Sequence, residues 1–219
     1  MPYRSVSFAV LAYDGIEPID IGATYGVLSM AKRIAPTLSF FVISKAGGEI
    51  EMANGLRLIA DYSFEGCPAA DILIVLGGPG WEKASKVAST LEFIHRFSQR
   101  GAITAAVCTG SMILAAAGLL DGKSATTKRE VLPSEIRPLT LLGERYPEID
   151  AVEARLVDAG SVLTGGGVSL GIDMTLYLLS RFVGPELADE TARILEYRIA
   201  WQANSRGMTD VVLDPGGRR

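Results

Sequence analysis

Two cysteines, Cys67 and Cys108, and a single histidine, His95, are the groups of this 219-residue chain best suited to covalent or proton-transfer chemistry. So few soft ligands leave little material for a metal cluster, and two thiols do not make a disulfide framework. Cys108 has the most informative setting. It follows the apolar run 102–107 and precedes a helical pattern that begins at Gly110, with Ala105, Ala106, Gly110 and Ser111 around it. Small residues at a strand-to-helix turn are what a nucleophile elbow requires, here with cysteine as the nucleophile. A thiol before a helix N-terminus meets unpaired N–H groups and the positive end of the dipole, so a lowered pKa is expected. The same position also suits a buried, inert cysteine, and the local pattern leaves both readings open.

Two other strand ends could contribute. Gly77-Gly78-Pro79-Gly80 follows the run 72–76, and N–H groups of Gly78 and Thr109 together could form an oxyanion hole. By itself such a stretch is a glycine turn leaving a sheet. The first strand ends at Asp14-Gly15-Ile16-Glu17-Pro18-Ile19-Asp20. By position alone Asp20 reads as a helix-entry residue. Trp81 could wall a pocket or merely pack. Gly165-Gly166-Gly167 lacks the Gly-Lys-Ser/Thr of a phosphate loop. Cys67, in Gly66-Cys67-Pro68, reads as a structural loop cysteine. His95 lies within a helical pattern and reads as a surface or packing residue.

The elements that would hold these groups alternate. Strand-like runs occupy 5–12, 38–44, 72–76, 102–107, 152–157 and 161–164, and helical patterns 19–33, 85–100, 110–117, 130–144, 170–182 and 186–202. Asn54-Gly55 between short apolar runs marks a hairpin over 49–60. Continuous apolar strands belong in a parallel sheet covered on both faces, so the expected fold is α/β, a doubly wound three-layer sandwich. One domain is expected over 1–210, with 211–219 a flexible tail.

Composition removes several function classes. With 48% hydrophobic and 21% charged residues, the chain is not disordered. A net charge of -4, without a basic stretch, argues against nucleic-acid binding. No apolar run reaches the roughly 18 residues of a membrane span. The apolar segment 6–12 lacks the basic flank and cleavage site of a signal peptide and reads as a strand. Together with the cysteine usage, this makes a reducing cytoplasm the expected location.

The motifs also resemble a known family. Tyr13-Asp14-Gly15, Ile19-Asp20, Leu76 to Gly80, Ala106-Val107-Cys108-Thr109-Gly110-Ser111, Leu119 to Lys123, Ala125-Thr126-Thr127 and Thr164 to Asp173 run in the order of the DJ-1/PfpI superfamily over about nine tenths of the chain. Within it the sequence is most similar to the isonitrile hydratase branch, whose relatives also occur fused to AraC-type DNA-binding domains. The resemblance implies a flavodoxin-like, class I glutamine-amidotransferase-like fold with a mostly parallel sheet. It implies a homodimer acting on a small molecule; no cofactor is expected, and the composition argues against metal, nucleic acid and membrane.

Carried over by position, the nucleophile falls on Cys108, its acidic partner on Asp20 and the following threonine on Thr109. Gly77, Gly78, Trp81, Lys128 and Gly166 would surround the substrate. The implied reaction turns an isonitrile and water into an N-substituted formamide, with Asp20 partly protonated because a carboxylate beside a thiolate must share a proton. Two positions depart from the pattern. Lys128 stands where many relatives carry histidine after Thr-Thr, and Gly26 where some carry a second acid. Glyoxalase-like chemistry on reactive carbonyls and a cysteine-oxidation sensor are the alternatives.

Overall fold

The computed structural model describes residues 3–213. Eight strands form the central sheet: β1 Ser7–Leu11, β2 Ser39–Ser44, β3 Tyr62–Ser63, β4 Ile72–Val75, β5 Ile103–Ala106, β6 Leu156–Asp158, β7 Val162–Gly165 and β8 Asp210–Val212. Their spatial order is β8-β6-β7-β5-β4-β1-β2-β3. Every neighbouring pair is parallel except β6 with β7, which meet antiparallel at Leu156↔Gly165. This is the flavodoxin-like three-layer α/β sandwich expected from the alternation of elements.

Strand geometry sends successive side chains to opposite faces. Phe8, Val10, Ile72, Ile74 and Ala105 join a core with the helices Val27–Lys32, Leu170–Phe182 and Pro185–Ile194. Ala9, Leu11, Leu73, Val75 and Ala106 join the opposite core, with Ala88–Gln99 and Gly110–Ala116. Both faces are dry, which is why the central strands are apolar without alternation.

Several boundaries differ from the periodicity. The helix expected over 19–33 is α-helical at Pro18–Ile21 and Val27–Lys32, with a π-helical turn at Gly22–Gly26 between them. The stretch 130–144 is helical only at Pro138–Arg145. Pro133 cannot sit inside a helix, whereas Pro138 occupies its first turn. The pattern over 186–202 is two helices, Pro185–Ile194 and Arg198–Gly207, because Glu196 turns the chain at φ +55°. The helix expected over 85–100 starts at Ala88, after a separate turn at Trp81–Ala84. Strand 152–157 shifts to Leu156–Asp158.

The 49–60 segment forms an antiparallel pair, Gly48–Glu51 with Arg57–Ala60, and Asn54 sits at φ +61° in its turn. Of the segment expected as a tail, residues 211 and 212 belong to β8, whose Asp210 is bound by Arg155. Leu213 is buried and donates its N–H to the Asp158 carbonyl at 2.8 Å, and 214–219 lie outside the described residues. Among the described residues no helix is long and apolar enough to cross a membrane.

Candidate active site

The parallel register β4-β5-β7 sets Val75 beside Ala106 and Ala106 beside Thr164. The chain therefore leaves the sheet at three adjacent points: Leu76-Gly77, Val107-Cys108 and Gly165-Gly166. Cys108 stands at φ +52°, a left-handed conformation that is uncommon for a residue with a Cβ. Three contacts hold the turn. The Cys108 N–H donates to the Gly166 carbonyl at 3.1 Å, the Thr127 hydroxyl donates to the Cys108 carbonyl at 2.7 Å, and the Gly110 N–H returns to Val107 at 2.9 Å. The helix Gly110–Ala116 starts immediately afterwards. Strain of this kind persists only where the surroundings over-determine it, and it concentrates at functional sites.

Asp20 comes from the next element in space and is completely buried. Its Oδ2 accepts the Gly77 N–H at 3.0 Å, while Oδ1 has no hydrogen-bond partner among the described residues. A Cβ at Gly77 would lie 2.7 Å from the Cys108 Cβ and 2.8 Å from Asp20 Oδ2, so only glycine lets the thiol and carboxyl face each other. Burial raises the Asp20 pKa from 3.8 to about 7, against the Gly77 N–H, the Cys108 thiol and Lys128; the Glu17 charge adds to the rise.

The electrostatics correct the expected low thiol pKa. Burial, then the Asp20 charge, push Cys108 up to about 12. N–H groups of Val168 and Thr109, and the Lys128 charge, act the other way without prevailing. The dipole argument omitted desolvation, which dominates for a thiol only 3% exposed. The thiol is therefore held on its protonated side, next to a carboxyl raised to about 7.

The expected oxyanion donors are also rearranged. Gly78 donates its N–H to Thr109 Oγ1 at 2.9 Å, and that hydroxyl returns a bond to the Gly78 carbonyl at 3.2 Å. The donors that reach the sulfur are Thr109 and Val168. Gly166 does not face the cavity; it braces the elbow from beneath, with its own N–H on the Arg155 carbonyl at 2.9 Å. Lys128 and Trp81 do line the cavity. His95 lies on the Ala88–Gln99 helix against Gln99, 3.0 Å away, outside the site. Cys67 contacts the Pro68 carbonyl in its loop.

Above the thiol opens a cavity of about 600 Å³. Ile19, Trp81, Val131, Ile136 and Leu141 give it apolar walls, while Glu17, Glu82, Glu135, Lys128 and Arg145 supply charge. Among the described residues no group of three His, Cys, Asp or Glu is arranged to hold a metal.

Three contributors lie inside motifs of the sequence but are not candidate site residues there. Glu17 lines the cavity from the helix entry. Val168 adopts φ +55°, costly for a β-branched side chain, and in doing so turns its N–H to the thiol. Tyr13 donates its hydroxyl to the Leu76 carbonyl at 3.0 Å. That carbonyl belongs to the same peptide whose N–H, on Gly77, holds Asp20. Tyr13-Asp14-Gly15 and the Thr164 to Asp173 stretch are the signals that could have found Tyr13 and Val168.

Comparison with known proteins agrees with this architecture. The sequence pattern of the DJ-1/PfpI family matches residues 6–181. An isonitrile hydratase of Pseudomonas putida is 32% identical over 196 residues, covering 88% of this chain and 79% of that protein. The HTH-type transcriptional regulator GbdR of Pseudomonas aeruginosa is 29% identical over 89% of this chain, which spans about half of the regulator's length (51%). A ThiJ/PfpI family protein from Pseudomonas syringae superposes with a TM-score of 0.76 at 27% identity, covering 89% of this chain and 76% of that one.

Proposed function

We propose that this chain, which belongs to the DJ-1/PfpI family, is a cysteine-dependent enzyme for small electrophiles, and that its reaction is the hydration of an isonitrile to an N-substituted formamide. The observation that carries the reading is the buried pairing of Cys108 with Asp20, across a glycine that admits no side chain, beneath a largely apolar cavity. Apolar walls with a few convergent polar groups suit a small, weakly polar substrate. The similarity to an isonitrile hydratase over most of both chains supports this choice of reaction.

In the proposed mechanism Asp20 takes the thiol proton as Sγ bonds to the terminal carbon of R–N≡C. It returns that proton to the same carbon, giving a thioimidate, R–N=CH–S. The Thr109 and Val168 N–H groups stabilise the charge that develops on sulfur. Water then adds across the C=N bond, oxygen to carbon and hydrogen to nitrogen. Collapse of R–NH–CH(OH)–S breaks the C–S bond, returns the hydroxyl proton to sulfur and releases R–NH–CHO. Asp20 serves as base and then acid, the use to which a carboxyl titrating near pH 7 is best matched.

A second reading, a ligand-binding module without turnover, is favoured by one observation: the thiol is held far on the protonated side. Formamide production from cyclohexyl isocyanide by reduced, folded protein separates the two. Saturable turnover is the expected result. Saturable binding of the isonitrile with no formamide would replace the enzyme by the binding module.

A further inference from the structure

Lys128 is the cavity's unpaired cation. Arg145, the other basic residue on its walls, is committed: it pairs with Glu82 at 3.3 Å and lies over the Trp81 ring at 5.4 Å. Acids near Lys128 along the chain are engaged elsewhere. Glu153 is held by Arg129 at 3.2 Å and Arg137 at 3.3 Å, and Glu130 lies 3.8 Å from Arg129. Glu135 uses its Oε2 on the Leu132 N–H at 3.1 Å. Among the described residues no carboxylate comes within ion-pair distance of the Lys128 ammonium.

Its placement is also fixed rather than incidental. The preceding residue, Thr127, is bonded to the Cys108 carbonyl at 2.7 Å, and the Lys128 carbonyl accepts the Leu139 N–H at 3.1 Å. The stem lies on Gly167, where an added Cβ would fall 2.7 Å from Lys128 Cγ and 2.8 Å from its Cβ. The backbone that shapes the elbow thus also carries this cation to the cavity. Glu17 and Asp20 come from the helix-entry side. The cavity walls carry three carboxylates, Glu17, Glu82 and Glu135, and two cations, Arg145 and Lys128; Arg145 is paired with Glu82, while the Lys128 ammonium makes no ion pair among the described residues.

We propose that the cavity takes a small electrophile bearing a carboxylate, and that Lys128 is the residue that binds this carboxylate while the electrophilic carbon rests at Cys108 Sγ. An ammonium held in a half-buried site forms a charge-assisted hydrogen bond with such a group. The Glu17 carboxylate, elsewhere on the same walls, disfavours a substrate carboxylate placed beside it by like-charge repulsion. The proposal deepens the reading above and rests on it for the reacting atom, but not for the carboxylate site.

The test is isothermal titration of the wild-type protein with cyclohexanecarboxylate and with its neutral isostere cyclohexanecarboxamide, repeated on Lys128→Met and Lys128→Arg. The acid is expected to bind about tenfold tighter than the amide, as a partly buried ion pair implies. The preference is expected to vanish in Lys128→Met and to persist in Lys128→Arg. Equal affinity for acid and amide, binding of neither, or a preference that survives Lys128→Met would overturn the proposal. A site-mapped companion measurement compares alkylation of Cys108 by iodoacetate and iodoacetamide. Any effect of Lys128 on thiol ionisation cancels in their ratio, which should fall about tenfold in Lys128→Met. If isonitriles are not hydrated but the acid-to-amide preference stands, the reaction assignment fails while the carboxylate site holds.

Discussion

Asp20 and Asp173 are both fully buried carboxylates, yet their surroundings are opposite. Asp173 Oδ1 accepts from Arg155 Nη1 at 2.9 Å, and its Oδ2 accepts from the Tyr197 hydroxyl at 2.7 Å and Asn204 Nδ2 at 3.1 Å. The same arginine clasps Asp210 through Nε at 2.8 Å. Every oxygen is satisfied, and the cluster pins the Arg198–Gly207 helix and β8 to the body of the sheet. Asp20 has one backbone donor, a thiol and an orphan oxygen. A buried carboxylate that is fully paired holds structure together; one left half-satisfied is protonated more readily, as burial does to Asp20. The two sites are nevertheless joined, since the Arg155 carbonyl supports Gly166 and Gly166 supports Cys108.

The sharpest way to break this contrast is to remove the groups on the Asp20 side and look for a loss of stability instead of chemistry. Cys108→Ala is expected to lower formamide turnover at least about 10³-fold, since among the described residues no other thiol lines the cavity. Its stability to urea should stay within about 1 kcal/mol, because a small side chain is exchanged for one slightly smaller at an already strained position. Retained turnover would remove the covalent mechanism altogether.

On the other side the expected loss is structural. Asp173→Ala leaves Arg155 buried with half of its partners, and breaking a buried pair in this way costs about 3–5 kcal/mol. Urea unfolding measures it. A loss below 1 kcal/mol would mean that the cluster is not the clamp described here.

Asp20→Asn should give the reverse sign. A carboxyl whose pKa is about 7 when folded and 3.8 in its ordinary state binds its proton more tightly in the native protein. Its contribution to stability is therefore fully present below about pH 4 and is lost as pH rises through about 7. Linkage sets that loss on the order of 4 kcal/mol, and the cost of burying an incompletely bonded amide offsets about half of any gain. Asp20→Asn is thus expected to be more stable than wild type by about 2 kcal/mol at pH 8, with no advantage at pH 4. Wild-type turnover should rise with pH through about 7 as the base ionises, and the variant should lose that limb. Equal stability at pH 8 would argue that Asp20 is not held out of water as described.

How much of this was legible in the residues follows the same division. The apolar runs at 72–76 and 102–107, buried on both sides, made the sheet and the elbow readable from local pattern. Cys108 and Gly77 stand out because each follows a strand end, whereas Asp20, inside the Pro18–Ile21 helix, is singled out by the family resemblance. What could not be read depends on neighbours distant in sequence. Burial of the thiol overrides the helix dipole. Thr109 takes the Gly78 N–H through a contact spanning 31 positions. Arg155, Asp173 and Asp210 find one another only once β6, the Leu170–Phe182 helix and β8 have packed. Pro133 and Pro138 were visible, but a helical period ran across them and obscured the break at 130–137. The split at Glu196 carries no glycine or proline to announce it.

The smallest expected effect probes how the site is tuned. Tyr13 donates to the Leu76 carbonyl, and the N–H of that peptide, on Gly77, donates to Asp20 Oδ2. Hydrogen bonds in series polarise one another, so the tyrosine strengthens the donor that favours the Asp20 carboxylate. Removing the hydroxyl in Tyr13→Phe weakens that donor and raises the carboxyl's proton affinity further. The acidic limb of the pH–rate profile should move up by roughly half a pH unit, and turnover at pH 6 should fall about threefold, with little change above pH 8. A purely structural tyrosine would cost about 1 kcal/mol of stability as a lost buried hydrogen bond and leave the limb in place. The position of that limb, measured beside urea stability for the same variant, decides whether Tyr13 belongs with Asp20 or with the satisfied, structural polar groups around Asp173.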